Sequence, residues 1–431
     1  MPPRPRRPPP ARAAAGSPPP TPAPPASYRR LVARVPAPSF REGAYIEEVA
    51  WTEPAANEVG WWWWERVFAC SRWMPPARSP RLPLFSSSHL SQVAVRILYA
   101  GVNGGCETFR VRAGLEPHTP FARADAGSII PLGAEGVGVV AAVGSSVSSL
   151  KPGDAVAVSG AGSFAEFVRA PSSACTRLPA ATPAAAAATL SGVTAAVALD
   201  VTAGGVRAGD TVCVTAAAGG TGHLAAQWAA AAGARVVAVV GSAEKAALIT
   251  RLLAKWPDAG HAVVDRSTVA PSDLPAALAA AAGPSGVDVA YEGVGGPLRA
   301  AVLETLADGG RMVCVGYVSA YPHSGDDAAT RSTTPSAPSL PPDRDLFWGR
   351  ARLDLPGGRV VHGDAWGGAD ARAVARARKK VLAAVAAGDV EAVIDQPMHV
   401  GLERADDAVD RLLSGASMGK VVLDVAGGAR G

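Results

Sequence analysis

The sequence predicts an α/β protein in which a β-rich domain precedes a parallel sheet covered by helices on both faces. The first observation is that short apolar segments alternate with helical segments from residue 211 onwards, which is typical of parallel sheets. The second is a glycine-rich turn that joins the first of these strands to a helix. The third is the alternation of apolar and polar residues between residues 28 and 158, which predicts half-buried antiparallel strands.

The composition indicates a globular protein without a membrane span. Apolar residues make up 48% and charged residues 18% of the 431 residues, and no apolar run is expected to reach the roughly 20 residues of a transmembrane helix. The net charge of +4 comes partly from arginines near the N-terminus, so no nucleic-acid partner is expected. The five cysteines contain no CxxC pair, which excludes a disulfide framework and a structural zinc lobe. A reducing, intracellular compartment follows.

Residues 1–27 are predicted to be a disordered tail. They are mainly Pro, Ala and Arg, and no acidic residue precedes Glu42, so the segment cannot bury enough apolar surface to fold. Organellar transit peptides are also basic, but this tail has little Ser and too much Pro for an amphipathic helix. The sequence leaves a cytoplasmic and an organellar location open.

Residues 28–195 are predicted to form the β-rich domain. The predicted strands are a hairpin over 28–51 and single strands at 93–99, 136–143 and 154–158. Residues 60–91, with four tryptophans in a row from Trp61 to Trp64, follow neither a helical nor a strand period. We interpret them as an anomalous insertion, either a gene-model artefact or an aromatic lid, although so long a loop is unusual in a compact domain.

Residues 196–365 are predicted to carry the parallel sheet, and residues 366–431 to return to the β-rich domain. The predicted parallel strands are 211–215, 235–240, 262–265, 287–291 and 311–315. Residues 324–345 are rich in Ser, Thr, Pro and Asp and are predicted to be a mobile loop. The elements predicted after it are helices at 371–387 and 404–414 and a strand at 419–425.

The glycine-rich turn is predicted to bind the pyrophosphate of a dinucleotide. Strand 211–215 runs directly into the turn AAAGGTG and then into a helical segment. Such a turn lets backbone N–H groups approach phosphate oxygens at the positive end of the helix dipole. A lone glycine motif is weak, but this one follows the first strand of the alternating set, where a Rossmann domain places it. The candidate contacts are Ala216, Gly219, Gly220, Thr221 and Gly222.

The end of the second parallel strand favours NADPH over NADH. NAD sites place a carboxylate here to hold the ribose 2′-hydroxyl, whereas a 2′-phosphate needs space, a hydroxyl group and a cation. Gly241, Ser242 and Lys245 provide these three features. Glu244 lies past the strand end, where a solvated surface charge is the simpler interpretation, and Arg266 after the third strand is a second candidate cation.

Several motifs together resemble those of a known family. They are AGVN at 100–103, PLGAEGVGVV at 131–140, GSFAEF at 162–167 and the glycine-rich turn, followed by YEGVGG, VGYVSAY and MGKVVL towards the C-terminus. This ordered set resembles the zinc-free quinone oxidoreductases of the medium-chain dehydrogenase/reductase superfamily, and among them the prostaglandin reductase 3 type. The resemblance covers residues 28–56 and 92–427.

The resemblance implies a GroES-like catalytic domain that clasps a Rossmann domain, with the active site in the cleft between them. It also implies NADPH, a homodimer, and reduction of enones, 15-oxoprostaglandins or quinones. Cys106 departs from the family by replacing the usual Asp near the AGVN motif, and Asp265 by replacing a Tyr. Ser417 replaces the Asn before the C-terminal Gly-Lys and stays a candidate cofactor contact.

The resemblance also predicts a site without metal. Asn103 and Ala134 stand where zinc-dependent members have Cys and His ligands, so two of the ligands that tetrahedral zinc needs are missing. Without a Lewis acid, hydrogen bonds must stabilise a developing enolate. That requirement suits hydride delivery to a conjugated carbon–carbon double bond.

Two residues are predicted to take part in catalysis. The resemblance places a substrate-binding tyrosine at Tyr321, whose phenol would donate to the enolate oxygen; the alternative is a tyrosine packed on residues 324–345. The Asn103 amide would orient the nicotinamide ribose or the substrate oxygen, or else cap its turn. The seven histidines show no ligand spacing, and no role is assigned to them.

Three functions are compatible with the sequence. The favoured one is an NADPH-dependent enone or quinone reductase that takes its proton from solvent. The second is a zinc-dependent alcohol or carbonyl dehydrogenase that recruits its metal at Cys106. The third is an NADPH-binding protein with a structural or RNA-binding role and no turnover.

Overall fold

The computed structural model describes residues 25–51, 91–112, 127–160, 162–321, 337–366 and 369–430. The predicted tail lies outside these residues except for its last three positions, and the insertion at 60–91 except for its last. Residues 322–336, most of the predicted mobile loop, also lie outside.

The described residues form two seven-stranded sheets and one three-stranded sheet. The strands before the parallel sheet are β1 Ser27–Arg34, β2 Ala44–Ala50, β3 Gln92–Gly101, β4 Ile129–Pro131, β5 Glu135–Val143, β6 Ala155–Ser159, β7 Phe167–Pro171 and β8 Cys175–Arg177. The remaining strands are β9 Thr211–Val214, β10 Arg235–Val240, β11 Ala262–Asp265, β12 Val287–Glu292, β13 Leu306–Cys314, β14 Arg352–Leu355, β15 Arg359–His362, β16 His399–Val400 and β17 Val422–Asp424.

Helices connect and cover these strands. The helices are α1 Phe40–Gly43, α2 Gly104–Val111, α3 Pro183–Thr202, α4 Gly222–Ala231, α5 Ala243–Leu253, α6 Leu274–Ala282, α7 Gly296–Glu304, α8 Asp343–Trp348, α9 Ala371–Ala387 and α10 Ala405–Leu413. The helix predicted at 371–387 is therefore found at the same residues, and the one predicted at 404–414 is shorter by one residue at each end.

The parallel sheet has the strand order β11-β10-β9-β12-β13-β15, with β14 added antiparallel at the edge. In chain order its parallel strands run 3-2-1-4-5-6, the doubly wound arrangement of a Rossmann domain. Its central strands are almost entirely apolar because helices cover both faces. Cys213 and Cys314 are fully buried in this sheet, as their apolar surroundings in the sequence predict. The predicted fold class is confirmed.

The other seven-stranded sheet has the order β16-β17-β3-β5-β6-β8, with β7 also paired to β3. β17 pairs antiparallel with β3, so the end of the chain returns to the first sheet. The predicted hairpin is present as β1 and β2, which join β4 in the three-stranded sheet. The returning segment also touches the Rossmann domain, since Gly419 forms a parallel bridge with Gly219.

The expectation that no apolar run approaches the length of a membrane span was wrong for α3. Among the described residues, this 20-residue helix is long and apolar enough to cross a bilayer. Within the fold, 72% of its apolar window is buried, so the helix has the environment of a core helix. It includes two π-helical turns, Ala188–Gly192 and Ala198–Thr202.

The prediction of a mobile loop was wrong at the C-terminal end of residues 324–345, because α8 begins inside that range. Pro342 stands at the N-cap of this helix. The Asp343 side chain accepts a hydrogen bond from Gly296 N–H (2.7 Å) and pairs with Arg299 (2.8 Å). Long-range polar contacts, which a local composition cannot show, therefore fix this end of the segment.

Candidate active site

A cleft of about 630 Å³ lies at the carboxyl ends of the central parallel strands. The Rossmann domain contributes the glycine-rich turn and the ends of β10, β12 and β13, while the β-rich domain contributes the AGVN segment. The last residues before β17 close one side of the cleft. Because the strand order reverses between β9 and β12, this is the position where doubly wound sheets bind ligands.

The glycine-rich turn has the close backbone packing that the prediction requires. A Cβ atom at Gly222 would lie 2.2 Å from the Ala216 carbonyl oxygen, so only glycine fits where α4 begins. Ala216 itself has φ of +45°, which is the left-handed region that glycine adopts more easily. Thr221 at the N-cap makes no side-chain capping bond. The N-terminus of α4 therefore follows the turn without a side-chain cap, and Ala216, Gly219, Gly220 and Thr221 of the turn itself line the cleft, as a phosphate site requires.

His223 connects this turn to the returning segment. Its Nε2 atom accepts a hydrogen bond from Val393 N–H (3.0 Å), so Nδ1 carries the proton and donates to the Gly219 carbonyl (2.7 Å). Burial lowers the pKa of His223 to about 4, and the ring is neutral at physiological pH. Its arrangement is structural and holds the shape of the turn.

Two cations flank the end of β10. Lys245 and Arg266 both line the cleft beside Gly241, where an added Cβ would lie 3.5 Å from Arg266 Nε. Burial and then the charge of Arg266 lower the pKa of Lys245. Because the two like charges disfavour each other, an anion between them would be stabilised. Lys245 Nζ meanwhile donates to the Gly415 carbonyl.

The neighbouring polar residues are turned to other partners. Ser242 caps α5 by accepting from Lys245 N–H at 3.4 Å, and it is not among the residues that line the cleft. Glu244 is exposed, and a hydrogen bond from Ser242 lowers its pKa. Asp265 accepts from the N–H (2.9 Å) and hydroxyl (2.7 Å) of Ser267. Among the described residues, neither of these two carboxylates forms an ion pair with Lys245 or Arg266.

A buried ion network forms the deep end of the cleft. Lys420 Nζ lies 2.7 Å from Glu135 Oε1, 2.6 Å from Asn103 Oδ1 and 2.9 Å from Ser191 Oγ. Lys420 is 2% and Glu135 0% exposed. Glu135 Oε2 also accepts from Leu190 N–H at 2.5 Å. The three N–H donors of the ammonium are all used inside the protein.

The Asn103 amide is almost fully occupied. Its Nδ2 atom donates to Glu135 Oε1 (2.9 Å) and to the Gly101 carbonyl (3.2 Å), and its Oδ1 accepts from Lys420. It makes no capping bond to α2, but its bond to the Gly101 carbonyl lies within the AGVN turn, so the turn-capping alternative stays open. A side-chain amide has two donors and two acceptor lone pairs, which leaves Asn103 one acceptor position for a ligand.

Tyr321 lines the same cleft. Its ring packs edge-on against Phe109 and Tyr317, with centroid distances of 5.4 and 5.0 Å. The hydroxyl lies between two glycines: a Cβ would be 3.0 Å from it at Gly105 and 2.7 Å at Gly316. Burial raises the pKa of the phenol, so it keeps its proton at neutral pH and can donate a hydrogen bond.

A second ion cluster lies behind the cleft and fixes the loops that line it. Arg299, which is fully buried, donates to Glu292 (2.5 Å), Asp343 (2.8 Å) and the Gly316 carbonyl (2.6 Å). Glu292 in turn accepts from two backbone N–H groups of the loop after β12. One guanidinium therefore ties the loop after β12 to the loop that carries Tyr321.

Most of the predicted site residues converge. Predicted catalytic residues and predicted cofactor contacts both line the cleft: Asn103, Tyr321, Ala216, Gly219, Gly220, Thr221, Lys245, Arg266 and Ser417. Gly222 lies at the start of α4 behind the turn. Sequence reasoning missed Lys420 and Ser191. A lysine before the apolar strand VVLDV is a signal for Lys420, whereas nothing in the alanine-rich segment indicates Ser191.

Comparison with known proteins identifies the family. The alcohol dehydrogenase GroES-like domain family matches residues 89–180, and the zinc-binding dehydrogenase family matches residues 220–334. A probable quinone oxidoreductase from Leishmania amazonensis is 31% identical over 339 residues, which are 77% of this chain and 88% of that protein. The chain belongs to the quinone oxidoreductase branch of the medium-chain dehydrogenase/reductase superfamily. The resemblance seen in the motifs is thereby confirmed.

Other members of the superfamily agree with this placement. Prostaglandin reductase-3 from Mus musculus is 30% identical over 301 residues, which are 68% of this chain and 73% of that protein. A mycobacterial protein solved with NADPH is 27% identical, with a TM-score of 0.56 over 77% of this chain and 91% of that one. Escherichia coli quinone oxidoreductase, solved with NADPH, has a TM-score of 0.61 over 92% and 99% of the two chains; at 21% identity it supports the fold alone.

The residues of this oxidoreductase do not fit the zinc site that one family description implies. Among the described residues, no three His, Cys, Asp or Glu side chains come together to hold a metal. The Glu135 carboxylate is already occupied by Lys420, Asn103 and Leu190 N–H. Burial raises the pKa of the Cys106 thiol to about 12, so zinc binding there would first have to offset the cost of forming a buried thiolate.

Proposed function

We propose that the chain is an NADPH-dependent reductase of activated carbon–carbon double bonds, in enones, 15-oxoprostaglandin-like lipids or quinones, and that it works without zinc. One observation carries the proposal: a protonated phenol, Tyr321, lines the same cleft as a phosphate-binding turn. That combination places a hydrogen-bond donor within the cavity that receives the dinucleotide. Enolate stabilisation by a neutral donor requires such an arrangement.

The open end of the cleft is formed by the glycine-rich turn, Lys245 and Arg266. These residues fit NADPH. The turn at Ala216 to Gly222 offers backbone N–H groups to the pyrophosphate, and Lys245 and Arg266 offer two cations to the 2′-phosphate. The exposed position of Gly241 leaves the space that this phosphate needs. A solved relative that is 27% identical contains NADPH, which supports the same assignment.

Tyr321 and Asn103, at the deep end of the cleft, then contact the substrate and the cofactor. NADPH supplies the hydride when it is bound. Tyr321 donates to the substrate carbonyl oxygen, and this hydrogen bond strengthens as negative charge moves onto that oxygen. Asn103 offers its remaining acceptor position to a hydroxyl or amide donor of the nicotinamide ribose or carboxamide.

NADPH oxidation measured against a panel of quinones, short enones, enals and 15-oxo-lipids tests this function. We expect turnover with at least one class, and no turnover with saturated ketones or alcohols. Tight NADPH binding with no turnover on the whole panel would contradict the proposal and favour a binding role. The homodimer implied by the resemblance stays a prediction, which sedimentation velocity tests.

A further inference from the structure

Ser191 has an unused hydrogen-bond donor in the cleft. Its side chain lines the cavity and is 1% exposed, and its Oγ accepts from Lys420 Nζ at 2.9 Å. Among the described residues, its own proton has no acceptor. A buried hydroxyl that leaves its donor unpaired is destabilising, and the position of Ser191 in the cleft wall makes this donor accessible to a bound molecule.

The contrast with Thr189 shows that this orientation is specific. Both residues lie in the π-helical turn Ala188–Gly192, and both are about 1% exposed. Thr189 donates to the Ala185 carbonyl of its own helix at 2.8 Å, as buried helical hydroxyls usually do. Ser191 instead makes its contact with Lys420. Single π turns in helices occur frequently at functional sites.

Lys420 has no hydrogen bond left to donate to a ligand, so its hydrogen-bonding influence passes through Ser191 or Asn103. Its three donors point to Glu135, Asn103 and Ser191, so none remains for a bound molecule. The ammonium occupies a lone pair of the Ser191 oxygen, so the hydroxyl proton remains free to bind a ligand. A hydrogen bond from a cation also makes that hydroxyl a stronger donor.

We propose that Ser191 is the proton donor for the reduced double bond and that Lys420 supplies the proton to Ser191. This inference rests on the proposed function, which leaves the proton source to solvent. As hydride forms the new C–H bond at the β-carbon, the electrons of the double bond move to the α-carbon and carbonyl oxygen. The Ser191 O–H bond breaks as a C–H bond forms at the α-carbon. An N–H bond of Lys420 breaks to restore the hydroxyl, and water reprotonates the amine after product leaves.

Reduction of 2-methylcyclohex-2-enone by NADPH tests the proposal, because protonation at the α-carbon creates a stereocentre. The variants are Ser191→Ala, Ser191→Thr and, as a matched control in the same turn, Thr189→Val. We expect Ser191→Ala to lower kcat by about 100-fold and to bring the enantiomer ratio of the product close to one. Ser191→Thr retains a hydroxyl and should restore rate and selectivity, and Thr189→Val should match the parent protein.

NADPH affinity, measured by fluorescence titration, separates substrate protonation from cofactor binding. An unchanged Kd in Ser191→Ala supports the proposal. A rise in Kd that accounts for the whole loss of activity would overturn it, because the hydroxyl would then serve the cofactor. The parent rate and parent enantiomer ratio in Ser191→Ala would also overturn it, while leaving the reductase function intact. If the parent protein turned over neither this enone nor any other member of the panel, the proposed function itself would fail.

A double-mutant cycle tests the part played by Lys420. Lys420→Met alone would leave Glu135 charged and buried, so it is paired with Glu135→Gln to keep the network neutral. We expect this paired variant to lower kcat, and the addition of Ser191→Ala to lower it little further, because the two changes interrupt one chain of proton transfer. Losses that multiply independently would overturn the relay.

Discussion

The two ends of the cleft use positive charge in opposite ways. At the deep end, Lys420 is 2% exposed and gives all its donors to Glu135, Asn103 and Ser191. At the open end, Lys245 and Arg266 form no ion pair with a carboxylate among the described residues, and they face the cleft. A cation with three protein partners organises its surroundings, whereas one without a counter-charge is available to a phosphate. The partners of a cation, more than its presence, indicate its role.

The largest expected effect comes from breaking the buried ion cluster behind the deep end. Arg299→Leu leaves Glu292 and Asp343 buried without their counter-charge, and we expect a loss of about 3–5 kcal/mol in the free energy of unfolding. Urea denaturation measures it. Arg251→Leu is the matched control: its partner Glu391 is exposed, so its loss should stay below about 1 kcal/mol. Equal losses in the free energy of unfolding would show that the buried ion pairs contribute no more to stability than the exposed one.

Removal of the phenol hydroxyl tests the chemistry of the deep end. Tyr321→Phe should lower kcat roughly ten- to a thousandfold if this phenol is the principal donor to the enolate, because the bond is strongest in the transition state. NADPH affinity should stay near that of the parent protein. Steady-state kinetics with an enone and a fluorescence titration provide the two values.

Two outcomes would change the role given to Tyr321. A loss smaller than tenfold would indicate that a backbone N–H of the same loop is the main donor. Turnover at the parent rate would remove Tyr321 from catalysis and direct attention to Asn103. Tyr45→Phe, which alters a tyrosine of β2 away from the cleft, is a suitable control for nonspecific effects.

Reversal of charge at the open end should change cofactor preference. Lys245→Glu places a carboxylate beside the expected 2′-phosphate and should raise the Kd for NADPH about ten- to a hundredfold while changing the Kd for NADH much less. Fluorescence titration of both cofactors measures the difference. Lys151→Glu, at an exposed turn of the β-rich domain, controls for net charge. Equal losses for both cofactors would remove the 2′-phosphate role.

The smallest expected effect is that of metal removal. Lys420 and Asn103 occupy the Glu135 carboxylate, and among the described residues no three His, Cys, Asp or Glu side chains come together to hold a metal, so a chelator should leave the rate unchanged. Elemental analysis of the purified protein should find no stoichiometric zinc. An enzyme that loses activity with a chelator and regains it with zinc would contradict the metal-free proposal.

Five of the six parallel strands and the glycine-rich turn could be predicted because their signals are local. Each parallel strand is a short apolar segment, and the strand, the glycine turn and the helix follow one another without a gap. α9 was likewise predicted at its observed residues, because the apolar residues of a long amphipathic helix repeat with a clear period. The apolar character of α3 was underestimated, because its alanines are weakly apolar one by one and become significant only when summed over 20 residues.

The sequence by itself determined the fold class, the family, the glycine-rich turn after β9 and the presence of Lys245 and Arg266 after the second and third parallel strands, because each is indicated by short motifs of neighbouring residues. Only the tertiary structure decided how the buried charges are paired. Lys420 and Asn103 are 317 positions apart, and Lys420 and Ser191 are 229 apart, so no local pattern relates them. They meet because β17 pairs antiparallel with β3 and brings the returning segment against α3 and the AGVN segment. In a low-dielectric interior, that meeting determines which polar groups are satisfied and which remain free for a ligand.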